Sequence, residues 1–176
     1  VGTSGVRAAV VEGAEVSALA YREVLPDTPF PGLVELDAAA LAAAVGRILT
    51  ASGAVVEVIQ APDGDAQADA ANGFGADVFV GLVVRPEPGV TCAFYERDDF
   101  SSIGGRRLAG LVLEHLAAHA PEPPAKPHGM RLPVLRATKM PAVVVELGDP
   151  KAVVAQLPIF ATAIAAAVTA WTHQPV

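Results

Sequence analysis

A chain of 176 residues with a single cysteine has room for one domain whose core needs no disulfide staples, and it cannot form an internal disulfide or a Cys-x-x-Cys metal site. A formal charge of −7, with 12 Lys and Arg scattered among 19 Asp and Glu, argues against nucleic acid or another polyanion as partner, because phosphate binding relies on clustered basic charge. Although 52% of the residues are hydrophobic, alanine inflates that figure, and no run reaches the ~18 uninterrupted apolar residues of a spanning helix.

In chain order, Val6 to Val11 reads as a first strand, and the segment that follows to residue 34 is mixed, with Pro26, Pro29, Pro31 and Gly32 breaking regular structure. Leu36 to Ser52 has the helical spacing of Leu36, Leu41, Val45, Ile48 and Leu49, and Gly53 supplies a stop. Ala54 to Ile59 is expected to be a strand. Asp63 to Asp69 opens a short helix toward Gly73, and Val78 to Val84 is a continuous apolar run suited to a strand buried on both faces. Val90 to Tyr95 is a further strand, with Cys92 as a buried small hydrophobe. Ser101 or Ser102 caps a helix running to His119.

Ala120 to Gly129 is Pro-rich and reads as a surface loop. Leu132 to Leu135 is expected to be a short strand and Ala142 to Leu147 a second fully buried one, followed by helical segments over 150–158 and 159–172. No basic segment leads into an apolar one, so no signal peptide is expected in this sequence. Alternating strands and helices predict an α/β three-layer sandwich, a mostly parallel twisted sheet with helices on both faces.

Glu146 carries the most chemical information. A carboxylate near the end of an otherwise apolar strand costs several kcal/mol to bury alone, and strand C-termini line the ligand crevice of open α/β sheets. Either it has a role in a site or it turns to solvent. His115 and His119 are four apart on the expected helix but lack an intervening Glu of the His-Glu-x-x-His type, and His128 and His173 read as surface residues. Arg136 either binds a ligand carboxylate or pairs with an acidic neighbour.

The run Met140-Pro141-Ala142-Val143-Val144-Val145-Glu146-Leu147-Gly148 resembles the closing motif of the type 3 N-acetylmuramoyl-L-alanine amidases, which are zinc-dependent peptidoglycan amidases. Val134-Leu135-Arg136 resembles the family's lead-in to it. Ala71-Asn72 followed by Ala76-Asp77-Val78-Phe79-Val80 is similar to an upstream family stretch, and Glu35-Leu36-Asp37 resembles the head of its first long helix. The resemblance runs from about Glu35 onward, in order and in spacing, and implies a single amidase-like domain over 1–176, a cell-envelope or extracellular setting, and a peptidoglycan stem peptide or a cell-wall protein as partner. Alanine richness with Arg over Lys suggests a GC-rich bacterial source.

The resemblance also implies a site in which zinc is held by a His after the first strand, a Glu heading the helix and a His ending the Phe-Val strand, with the last strand's Glu as general base. Carried over position by position, Glu35 matches the ligand Glu and Glu146 the general base. Ala14 and Val83 stand where the two His belong. Glu12 or Glu15 could bring another carboxylate, a set that suits a hard cation better than zinc. The expectation is therefore an amidase-like domain without a bound cofactor and with its zinc site lost. In it Glu146 marks the general-base position, and Arg136 and Asn72 are candidate substrate-binding residues. The rival expectations are an active amidase using Glu146 with an atypical metal site, and a structural partner domain of an envelope protein.

Overall fold

The computed structural model describes residues 7–12, 32–120 and 122–173. Ala14 and Glu15 lie outside them. The strands are β1 (Arg7–Glu12), β2 (Val55–Ile59), β3 (Val78–Arg85), β4 (Gly89–Arg97), β5 (Phe100–Ser101), β6 (His128–Met130) and β7 (Ala142–Gly148). The helices are α1 (Gly32–Ala51), α2 (Gly64–Phe74), α3 (Ile103–Ala117), α4 (Pro133–Ala137), α5 (Pro150–Ala155) and α6 (Leu157–His173).

One sheet runs in the order β2-β1-β3-β7-β4-β5, with β6 on the outer side of β4. β2, β1, β3 and β7 are parallel, while β4 runs antiparallel to β7. Period-two alternation sends successive side chains to opposite faces, and the described core divides accordingly. Val80, Leu82, Val84, Cys92, Val145 and Leu147 pack under α1, α3 and α6. Phe79, Val83, Ala93 and Val144 face α2 and α4. The expected three layers are therefore present, and all of β7 is buried because it is covered on both faces.

β3 and β4 are joined by a short turn yet do not pair, because β7 lies between them. The connection crosses the end of β7 so closely that a Cβ on Gly148 would overlap the Glu87 carbonyl. Gly89 then turns back with φ +132°, a conformation that glycine takes without strain.

Three local expectations need correction. Leu132 to Leu135 is not a strand: Pro133 starts α4, where a missing N–H is harmless, and Arg136 N–H donates to the Leu132 carbonyl at 3.0 Å. The Pro-rich loop does not stay irregular to Gly129, since His128–Met130 pairs with Ala93–Tyr95 of β4. The third helix ends at Ala117, so His119 falls in the following turn and does not share a helix with His115.

Candidate functional site

Residues opposite one another on neighbouring strands share a face of the sheet. The register sets Val83 of β3, Glu146 of β7 and Thr91 of β4 in one row. Arg85 lies two residues beyond Val83, at the end of β3. On the outer strand, His128 is in register with Ala93, on the same face.

Glu146 is not turned to solvent; its side chain is 2% exposed. Its Oε2 accepts a hydrogen bond of 2.7 Å from the Thr91 hydroxyl and forms an ion pair with the Arg85 guanidinium. The other oxygen, Oε1, is buried without a hydrogen-bond partner among the described residues. Removing a carboxylate from water is costly, and an adjacent cation offsets much of that cost. Burial lowers the Arg85 pKa from its ordinary value and nearby Glu87 opposes the shift, but a guanidinium stays charged throughout the accessible range.

Half-buried His128 belongs to the same electrostatic neighbourhood. Its pKa is lowered, first by burial and then by the positive charge of Arg85. A depressed histidine means that the unfolded chain binds more protons than the folded one between the folded value and the ordinary value near 6.5. Stability from this group is complete above about pH 6.5 and falls as the pH drops toward the folded value. We expect the His128 ring resonances to titrate below 6.5, and His128→Gln to flatten the pH dependence of stability in that window. NMR titration and urea midpoints at several pH values check both.

The candidate substrate residues lie elsewhere. Asn72 Nδ2 donates to the Ala137 carbonyl at 3.0 Å, and Asn72 Oδ1 accepts from the Lys139 N–H at 2.9 Å. Asn72 thus clamps the segment that leads into β7. Arg136 stands at the end of α4, 3.7 Å from Asp65. Both belong to the N-terminal end of β7, and Glu146 is four residues on, about 13 Å along an extended strand. The structure therefore groups Asn72 with Arg136 but not with Glu146. Glu35 lies in the first turn of α1.

Among the described residues, the donor set beside Glu146 does not fit zinc. Val83, directly opposite, offers no donor atom, and the Glu146 carboxylate already faces a cation at Arg85. Among the described residues no three His, Cys, Asp or Glu side chains gather as a metal site requires. Buried Cys92 offers no alternative nucleophile, since it sits on the opposite face and burial pushes its thiol up. Sequence reasoning missed Arg85, Thr91 and His128. Arg85 closes an apolar strand two residues after Val83, a signal of the same kind as Glu146.

No protein-family model and no curated protein sequence matches the chain. Solved structures do match, and the fold is that of N-acetylmuramoyl-L-alanine amidases. An N-acetylmuramoyl-L-alanine amidase from Clostridium difficile 630 superposes with a TM-score of 0.77 at 15% identity, covering 99% of this chain and 100% of that one. The amidase Ami1 from Mycobacterium smegmatis gives 0.75 at 16% identity, covering 98% and 99%. The CwlD amidase from Clostridioides difficile, solved in complex with the GerS lipoprotein, gives 0.66 at 10% identity, covering 96% and 99%.

Proposed function

We propose that this chain is a non-catalytic amidase-like domain that binds peptidoglycan fragments at the cell envelope. One observation carries the reading: the carboxylate at the general-base position is buried and already held by Arg85 and Thr91, with aliphatic Val83 opposite it. A general base must reach the proton it removes, directly or through one water. A carboxylate enclosed between a guanidinium and a hydroxyl is poorly placed to do so. The peptidoglycan amidases that share the fold supply the ligand class. Among the described residues no helix is long and apolar enough to cross a membrane.

The test offers purified peptidoglycan sacculi to the chain, with and without added zinc. The expected result is co-sedimentation that survives chelation, and no release of stem peptides. Peptide release that rises with zinc and disappears in Glu146→Gln would establish the hydrolytic alternative instead. A protein ligand is the second reading, favoured by the neighbour solved in complex with a lipoprotein. Absence of sacculus binding, with capture of an envelope protein, would select it.

A further inference from the structure

A cavity of about 570 Å³ opens at the N-terminal end of β7, away from Glu146. Around it stand Arg97 near the end of β4, Arg136 at the end of α4 and Lys139 in the segment entering β7, with Tyr95, Phe100 and Ser102 between them. The chain has only 12 Lys and Arg against 19 Asp and Glu, so three cations around one opening are a local concentration of positive charge. Like charges brought together repel, and their present counterions are weak ones. Arg97 pairs with Asp99 at 2.9 Å and Arg136 with Asp65 at 3.7 Å, all four side chains being largely exposed. The Lys139 ammonium has no partner among the described residues.

The aromatic wall adds a second kind of complementarity. Phe100 is 49% exposed, with its ring centroid 5.9 Å from that of Tyr95 and 6.0 Å from the Arg97 guanidinium carbon. An exposed ring beside a cation is a surface on which a flat, electron-rich body can stack. The backbone of the cationic side is held in advance: the Asn72 clamp fixes it at Ala137 and Lys139, so the ordering cost of that backbone is met before any ligand arrives. Ser102 caps α3, and the positive end of that helix dipole adds to the same field.

We propose that this cavity binds a small ligand with an anionic group, carboxylate or phosphate, and a planar ring. Arg136, Lys139 and Arg97 hold the anion, while the ring packs on Phe100 and Tyr95. The inference does not depend on whether Glu146 is catalytic, since the two places lie at opposite ends of β7. The geometry also supplies a reporter. The single tryptophan, Trp171, donates its indole N–H to the Gly104 carbonyl at 3.3 Å, and a Cβ on Gly104 would touch both Trp171 and the cavity-lining Pro141.

The experiment titrates the full chain with inorganic phosphate, phenyl phosphate and benzoate, read by Trp171 fluorescence and calorimetry at low and high salt. Phenyl phosphate or benzoate should saturate, bind about tenfold tighter than inorganic phosphate, and weaken with salt. Preference between the two ring ligands tells a phosphate source from a carboxylate one. Arg136→Ala with Lys139→Ala should weaken binding tenfold or more, and Phe100→Ala should abolish the preference for a ring. These positions are exposed, so the variants should keep the wild-type circular dichroism spectrum. No saturable binding of any probe, or binding unchanged in the Arg136→Ala/Lys139→Ala variant, would overturn the proposal.

Discussion

Replacing Arg85 by alanine is expected to lower stability by about 2–3 kcal/mol, read as a drop in the urea midpoint at unchanged slope. Truncating one partner of a buried ion pair typically costs about 3–5 kcal/mol because the other charge is left alone. The lower figure applies here because the Arg85 side chain is 39% exposed and water screens part of the interaction. The Thr91 hydroxyl remains, but one hydrogen bond does not neutralise a buried carboxylate. Two further variants test the cause. Glu146→Gln added to Arg85→Ala should recover most of the loss, since the stranded charge is gone. Replacing the pair with Arg85→Met and Glu146→Leu should match or exceed the parent, because apolar packing avoids desolvation altogether. An unchanged midpoint in Arg85→Ala would show that water already reaches Glu146 and that the ion pair contributes nothing.

Phe79→Ala is expected to cost more, about 3–5 kcal/mol. Phe79 is fully buried on the α2 and α4 face. Its ring lies along β3 over Gly81, where a Cβ would come within 3.5 Å of the Phe79 ring carbon Cε1 and 3.2 Å of a Val144 methyl. The absent side chain at Gly81 makes the room that the ring fills. Removal therefore leaves a void floored by backbone that hydrogen bonds to β1 and β7 hold in place. Such a floor cannot rise to close the gap, so the penalty sits toward the upper part of the range. Calorimetric or denaturant unfolding measures it, and a cost below 1 kcal/mol would mean that α2 settles into the space.

The sequence announced what hydrophobic runs can announce. Val78 to Val84 and Ala142 to Leu147 are apolar throughout because both of their faces are covered, and each emerged as a buried strand. The motif around Glu146 pointed to the amidase fold even though overall identity to the solved amidases is low. Leu132 to Leu135 was misread because four apolar-rich residues are too few to show a period, and Pro133 decided the matter in favour of a helix. β6 was missed for a different reason. Three residues of no strong preference become a strand only because β4 offers a free edge.

The candidate site was half legible for the same reason. Glu146 stands out by type, but its partners are fixed by sheet order. Thr91 reaches it because β4 runs antiparallel beside β7, an orientation that alternation alone does not reveal. Arg136 and Asn72 stand out only by their place in the motif stretches. Nothing in their spacing shows that Asn72 clamps the backbone just past Arg136 at one end of β7 while Glu146 stands at the other.

The insertion of β7 between β3 and β4 has a consequence for how the chain is made. Both flanking strands leave the ribosome more than forty residues before the strand that joins them. Until Ala142–Gly148 emerges, each keeps an open apolar edge facing the slot, the kind of surface that pairs wrongly with other chains. Long-range pairing of this sort is slow, because loop closure precedes any reward. The Arg85 charge waits through the same interval, and the strand that completes the sheet also delivers its counterion.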